Sequence, residues 1–372
     1  MGHTPMNELG HTLVHTVFLG KFMFLFALLF GAGVVLYGRK YDTADDDGTY
    51  HTPLRTGWKL WYRRCAILLV FGLIHAYGFW YGDILTWYAI TGLGALWWVR
   101  RWKVKTQILA GAGFFLLGTT LLGLLTLFGL YAVNQGYQTR DQLMGSEPSA
   151  EIAAYLGTNE IGQRYGSYVS ALIARLPSTL MMHLLLMPLF VPAITGIMMF
   201  GMATFRSGLL TGNRSTGFYL TWGAILTIVG GALTFAVHEI VGGATKFEGA
   251  FLWQTLAQPL GIPLAFGYLM LVIAMTKSSA LRFITHPLAC VGRMALTNYA
   301  LQTLLCTTFF YGYGFARFAT IDYPGLWLVM LCVWTINITL SMVWLRIFDF
   351  GPLEWLWRSL TYGRIIPIRT RD

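Results

Sequence analysis

Apolar residues run along this chain in long unbroken blocks, without the short alternations of half-buried strands. Nine blocks, at 17–38, 66–82, 84–99, 107–133, 179–205, 216–238, 249–276, 288–311 and 325–345, approach or exceed the length a helix needs to cross about 30 Å of hydrocarbon. With no water to satisfy open backbone groups, such blocks must be helical. They predict an all-α integral membrane protein, a polytopic bundle of about nine transmembrane helices. Blocks 66–82 and 84–99 are short and meet at Gly82-Asp83, which predicts a tight antiparallel hairpin. Block 249–276 contains Pro259 and Pro263, so it should be kinked or broken there, with a first half that suits a re-entrant segment.

The polar intervals divide the chain into a short outer tail (1–16), a membrane domain (17–345) and a cytoplasmic amphipathic tail (346–372). Within the membrane domain, 134–178 forms an outer loop and amphipathic region. Its stretch 160–175 sets Ile161, Tyr165, Tyr168 and Leu172 on one helical face, suiting an interfacial helix or a lid, or plain anchoring. The stretch 352–362 opens on Pro352, a residue suited to a helix start, and precedes Arg364, Arg369 and Arg371. It reads as a helix lying on the inner leaflet.

Composition agrees. Hydrophobic residues make up 56% of the chain and charged ones 11%, with mean hydropathy +0.57; a soluble domain carries about 25% charge. The first sixteen residues contain no Lys or Arg, so no cleavable signal peptide is expected. Of the 26 Lys and Arg, 19 fall in alternate connecting segments and the C-terminal tail. Positive charge is retained in the cytoplasm, which predicts an outer N-terminus and a cytoplasmic C-terminus. The net charge of +10 then reflects topology and contact with an anionic bilayer. No nucleic-acid partner is expected, because the basic residues are scattered over loops. Oligomeric state is not legible. Cys65, Cys290, Cys306 and Cys332 lack metal-ligand spacing and read as small core residues, and no metal site is expected.

Ionisable groups inside apolar blocks are costly, roughly 2.5–3.5 kcal/mol for Asp at a helix centre, so their positions matter. His75 and Asp83 lie in the run 72–85 with glycines at 72, 78 and 82. On one helix axis their eight-residue spacing would bring them within about 80° of each other. The pair reads either as a satisfied core histidine plus an Asp that caps the next helix, or as a general base tuned by a carboxylate. Lys21, His183 and His238-Glu239 fall near the outer ends of their blocks and suggest an outward polar cavity, although Lys21 could simply snorkel. On the inner side, Arg293 with Thr297, and Asn298 with Gln302, recur at four-residue spacing. That stripe suits phosphate binding by Arg293, or helix-to-helix glue. No phosphate loop, zinc-peptidase motif, nucleophile elbow or dinucleotide fingerprint occurs.

Lys21-Phe22 leading into Leu-Phe-Ala-Leu-Leu-Phe-Gly-Ala-Gly (25–33), the run 72–85, Gly-Arg-Met-Ala-Leu-Thr-Asn-Tyr (292–299) and Gly-Pro-Leu-Glu-Trp-Leu-Trp-Arg (351–358) closely resemble the bacterial YeiB-like family of multi-pass inner-membrane proteins. That family is similar to a transmembrane acyltransferase superfamily that includes the lysosomal heparan-glucosamine acetyltransferase. The resemblance implies acyl-CoA as a cytoplasmic donor and a periplasmic acyl acceptor. YeiB-like proteins usually open with a further helix bearing Asp-x-x-Arg-Gly. The sequence begins after that helix, with His3, His11 and His15 ahead of the first block, so either the true start lies upstream or this member has lost it.

These observations lead to an acyltransferase-like membrane protein. His75 is its expected base and Asp83 orients that base. Lys21, Arg293 and Asn298 are the expected substrate or cofactor contacts. A small-molecule transporter relaying protons through Lys21, His75 and Asp83, and a non-catalytic envelope partner, are the alternatives.

Overall fold

The computed structural model describes residues 5–42, 54–134, 166–241, 256, 259–318 and 320–369. Every regular element among them is helical. In chain order these are α1 (Pro5–Leu13), α2 (Lys21–Asp42), α3 (Leu54–Gly78), α4 (Leu85–Leu93), α5 (Leu96–Val99), α6 (Val104–Asn134), α7 (Tyr168–Met181), α8 (Met187–Arg206), α9 (Thr216–Ile240), α10 (Ile262–Thr276), α11 (Arg282–Arg293), α12 (Ala295–Phe310), α13 (Tyr323–Trp344) and α14 (Pro352–Tyr362). Wide π turns at Val14–Phe18 and Met182–Leu186 join α1 toward α2 and α7 to α8.

Among the described residues, five helical units are long and apolar enough to cross a membrane: Pro5–Arg39, Val104–Tyr131, Tyr168–Arg206, Thr216–Ile240 and Tyr323–Trp344. A sixth is reached if Ile262–Thr276 and Ser279–Arg293, bent by 101°, count as one broken span. The remaining apolar blocks are helical but shorter or more charged. Helix α4 has 9 residues, α12 has 16, and α3 includes Lys59, Arg63 and Arg64 in its first half. The outward faces of the spans present Phe128 (68% exposed), Leu184 (74%) and Ile228 (71%). That apolar surface belongs in lipid. The molecule is an all-α polytopic membrane protein.

Helix α8 is the hub, packed against α6 on one side and α2 on the other. It crosses α2 closely: a Cβ on Gly31 would stand 1.9 Å from Met198 O, and one on Gly201 the same distance from Leu28 O. Only hydrogen fits at either position. Met198, Met199 and Met202 of α8 fill the core beside Leu28 and Val34.

Four expectations change. Residues 5–16, expected as a short outer tail, are helical; Asn7 Oδ1 accepts from Tyr323 N at 3.2 Å and so caps α13. Block 288–311 is broken at Met294 (φ −112°, ψ 31°), which places Arg293 at the end of α11 and Asn298 on α12. Glu354 of α14 makes that break tolerable. Its Oε1 accepts from Leu296 N (2.6 Å) and Thr297 N (3.0 Å), and its Oε2 accepts from Thr297 Oγ1 (2.5 Å). The amphipathic stretch at 160–175 also differs from an isolated surface helix. From Tyr168 onward the chain belongs to the unit Tyr168–Arg206, while Ile161 and Tyr165 lie outside the described residues. The expected re-entrant half of block 249–276 also lies largely outside them, and α10 begins at Ile262 with Pro263 in its first turn. All four cysteines are free. Cys65 and Cys290 are buried, but Cys332 is exposed on α13 and is not a core residue.

Candidate functional site

Helix α3 ends just after His75, whose carbonyl accepts from both Phe79 N (2.9 Å) and Trp80 N (3.0 Å). The last carbonyls are held by Arg175, which is 0% exposed and donates to Gly78 O (2.5 Å) and Phe79 O (2.6 Å). Tyr168 adds a third donor to Gly78 O at 2.7 Å. A buried guanidinium at a helix C-terminus is favoured by the partial negative charge there. It fixes the turn 79–84, which carries Asp83 back against α3.

The expected hairpin forms. Its closeness depends on Gly72, where a Cβ would meet Thr86 N at 2.5 Å. Asp83 caps α4, with Oδ2 accepting from Thr86 N at 2.7 Å. Its other oxygen, Oδ1, lies 2.9 Å from His75 Nδ1. The two residues meet through the turn and not along one helix axis, since α3 stops at Gly78. His75 is 6% exposed and Asp83 2%.

Helix α12 completes the group. Tyr299 OH donates to Asp83 Oδ1 at 3.2 Å and accepts from Ile84 N at 3.3 Å, and its ring lies 4.6 Å from the His75 ring. Thr303, one turn further, sets Oγ1 2.8 Å from His75 Nε2. An ionised carboxylate can only accept, so Nδ1 carries the proton toward Asp83 and Nε2 is the basic nitrogen facing the Thr303 hydroxyl. The 3.5 Å approach of Tyr299 OH to Nδ1 then joins two donors that share one acceptor. Hydroxyl, imidazole and carboxylate stand in line and buried, the last two from α3 and the turn after it, the hydroxyl from α12, 228 residues beyond His75. Such a unit can take a proton at Nε2 and hold the resulting cation against Asp83.

His183 belongs near this group without bonding to it. It sits in the π turn between α7 and α8, 6% exposed, stacked on Tyr77 at 5.5 Å and within electrostatic reach of Asp83. One ring nitrogen faces the Thr179 carbonyl, but neither closes a hydrogen bond among the described residues.

The other expected contacts lie elsewhere. Lys21 is 2% exposed at the start of α2 and donates to His15 O at 3.1 Å. Nearby, His11, His15 and His238 bring their rings within 4.0–6.1 Å of one another, with His11 and His15 stacked. Among the described residues no group of three or more His, Cys, Asp or Glu is arranged to hold a metal ion. Arg293 donates to Asp349 O at 3.0 Å on an exposed edge. Asn298 donates to Ser341 Oγ (2.8 Å) and Val291 O (3.1 Å), joining α12 to α13.

The sequence reading missed Tyr299, Thr303 and Arg175. The signal for the first two was one position away: the expected stripe followed 298 and 302, whereas the face toward His75 carries 299 and 303. Nothing in the local pattern marks Arg175, which earns notice only once α7 lies beside the end of α3.

Comparison with known proteins agrees on kinship. Residues 204–364 match the family described as "Protein of unknown function (DUF418)". The chain is 33% identical to "Uncharacterized protein YeiB" of Escherichia coli (strain K12) over 371 residues, covering 96% of this chain and 86% of that protein. It is 30% identical to "Uncharacterized protein YxaH" of Bacillus subtilis (strain 168) over 367 residues, covering 94% and 81% respectively. No solved structure matches.

Proposed function

The chain belongs to the YeiB-like (DUF418) family of proteins, and from that premise we propose that it is a membrane-embedded acyltransferase. The observation that carries the reading is the buried line Thr303 Oγ1–His75–Asp83, with contacts of 2.8 and 2.9 Å. In the proposed reaction a hydroxyl or amine of the acceptor attacks the thioester carbonyl of an acyl-CoA. The bond from acceptor to acyl carbon forms, the carbon–sulfur bond breaks, and coenzyme A leaves as thiol. His75 Nε2 takes the acceptor's proton and passes it to the leaving sulfur. Asp83 holds the imidazole in its Nδ1–H form and balances its charge, as in hydroxyl–imidazole–carboxylate enzymes. The chain is proposed to sit in the bacterial inner membrane with its N-terminus outside, donor bound from the cytoplasm and acceptor from the periplasm, as the loop charge asymmetry supports.

The test uses membrane vesicles given labelled acetyl-CoA on the cytoplasmic face, scored for label captured by protein or acceptor. Wild type should capture label, while His75→Ala and His75→Gln should not, with insertion and abundance unchanged. If wild type captures nothing with any acyl-CoA, the acyl-transfer reading is abandoned. Orientation has its own test. A reporter active only in the periplasm should work when fused after Gly157 and fail after Lys103, and the opposite pattern would reverse the orientation.

One observation favours a second reading, small-molecule transport. The buried Lys21, bonded to the carbonyl of His15 in the His11–His15–His238 cluster, is the kind of intramembrane ionisable group that marks a proton path. Transport would predict proton-coupled uptake lost on Lys21→Met and retained label-free when acyl-CoA is absent.

A further inference from the structure

The arginine-rich end of α3 holds an arrangement that acid–base chemistry at His75 does not use. The guanidinium of Arg64 lies 3.7 Å over the ring of Trp357 of α14 and 5.6 Å from that of Tyr37 of α2. Trp357 is itself fixed, because its Nε1 donates to Arg64 O at 2.9 Å. Arg358, the next residue on α14, is within electrostatic reach of Arg64 and stacks on Phe350 at 4.1 Å. Tyr37 and Tyr362 also lie within electrostatic reach of Arg64.

Neither Arg64 nor Arg358 makes a side-chain hydrogen bond or an ion pair with any described residue. Their ring contacts fix the guanidinium planes without using a single N–H. Two like charges brought together in a half-buried site repel unless an anion lies between them. Glu354, one turn before Arg358, has both its oxygens committed to the start of α12. Ring-stacked guanidinium forks with open N–H edges match a phosphate group, whose oxygens accept bidentate hydrogen bonds.

We infer that Arg64 and Arg358, held by Trp357 and Phe350 and bordered by Tyr37 and Tyr362, form a binding site for a phosphate-bearing molecule at the end of α3 opposite His75. Two sources share that chemistry: the phosphates of a nucleotide-type donor such as coenzyme A, and the headgroup of an anionic lipid. Arg64 precedes His75 by eleven residues on the same helix, about 16 Å. A donor anchored by its phosphates here would therefore point its thiol arm along α3 toward the imidazole. That orientation rests on the acyl-transfer reading, whereas the phosphate site itself does not.

The experiment uses the full chain purified in a non-ionic detergent, with binding followed by calorimetry and by the shift in melting temperature. The probes are coenzyme A, inorganic pyrophosphate, and nanodiscs of phosphatidylglycerol set against phosphatidylcholine. Wild type should bind coenzyme A or prefer phosphatidylglycerol, and Arg64→Gln and Arg358→Gln should each weaken that binding about tenfold or more. Arg64→Lys, which keeps the charge but loses the fork, should fall between. Coenzyme A binding identifies a nucleotide donor as the source, and a preference for phosphatidylglycerol alone identifies a lipid headgroup; both support the site. If Arg64→Gln does not yield folded protein, Arg358→Gln decides. The proposal is overturned if wild type responds to none of the probes, or if the folded variants bind as wild type does. If coenzyme A binds through these arginines yet no label is ever captured in vesicles, the acyl-transfer reading fails and the phosphate site stands.

Discussion

Two carboxylates in this protein do the same local job, and only one is left free to do more. Glu354 caps the start of α12 and Asp83 the start of α4. Glu354 places both oxygens on backbone amides and a neighbouring hydroxyl, so its hydrogen bonds end within the architecture. Asp83 needs only one oxygen for Thr86 N and turns the other to His75 and Tyr299. The difference shows that one carboxylate can cap a helix and still orient a neighbouring side chain. A cap anchors the carboxylate cheaply in a place where water is absent, and the second oxygen then acts on whatever side chain the fold presents to it.

Substitutions should separate the two. The largest effect is expected from Asp83→Asn, which keeps an oxygen for Thr86 N but removes the charge behind His75. Label transfer in vesicles should fall on the order of 10³–10⁴-fold, while thermal melting in detergent shows a loss of no more than about 1–2 kcal/mol. Full activity in that variant would reduce Asp83 to a cap. Thr303→Val, nearly isosteric, should slow transfer about 10–100-fold by removing the hydroxyl from Nε2. A rate unchanged within error would show that the acceptor reaches the imidazole without it.

Glu354→Gln should do the reverse of Asp83→Asn. It should lower stability by about 1–2 kcal/mol, as loss of a charged cap does, with transfer per folded molecule unchanged; a selective loss of rate would mean that α12 moves with its cap. The smallest effect belongs to His183→Phe. Among the described residues the imidazole there closes no hydrogen bond, so an apolar ring stacked on Tyr77 should leave melting within about 1 kcal/mol of wild type, or raise it. If rate instead collapses at constant stability, His183 acts on the substrate.

Much of this was legible in the sequence, for reasons that differ from residue to residue. A histidine and an aspartate in an apolar run are conspicuous because lipid tolerates neither unpaired, and Gly82-Asp83 marks a turn. The spacing leaves their mutual contact as one of two readings, framed on a shared helix axis. The chain instead closes the distance by ending α3 at Gly78, and the clamp that ends it, Arg175, sits 97 residues away from that glycine. Long-range partners leave no local trace. The same limit hid Tyr299 and Thr303: a four-residue stripe can be read on either of two adjacent registers, and only packing against α3 decides between them. The break at Met294 was invisible because Glu354, which satisfies its amides, comes from the tail.

The contact between His75 and Thr303 spans 228 residues, and that separation orders the protein's biogenesis. The ribosome delivers α3 and the turn bearing Asp83 early, while α12 emerges only after most of the chain has entered the membrane. Until then Tyr299 is missing from the carboxylate and Nε2 has no hydroxyl, so the half-built core is a polar lesion in lipid. A nascent chain that stalls or is cut before α12 would display that lesion to the membrane's proteases.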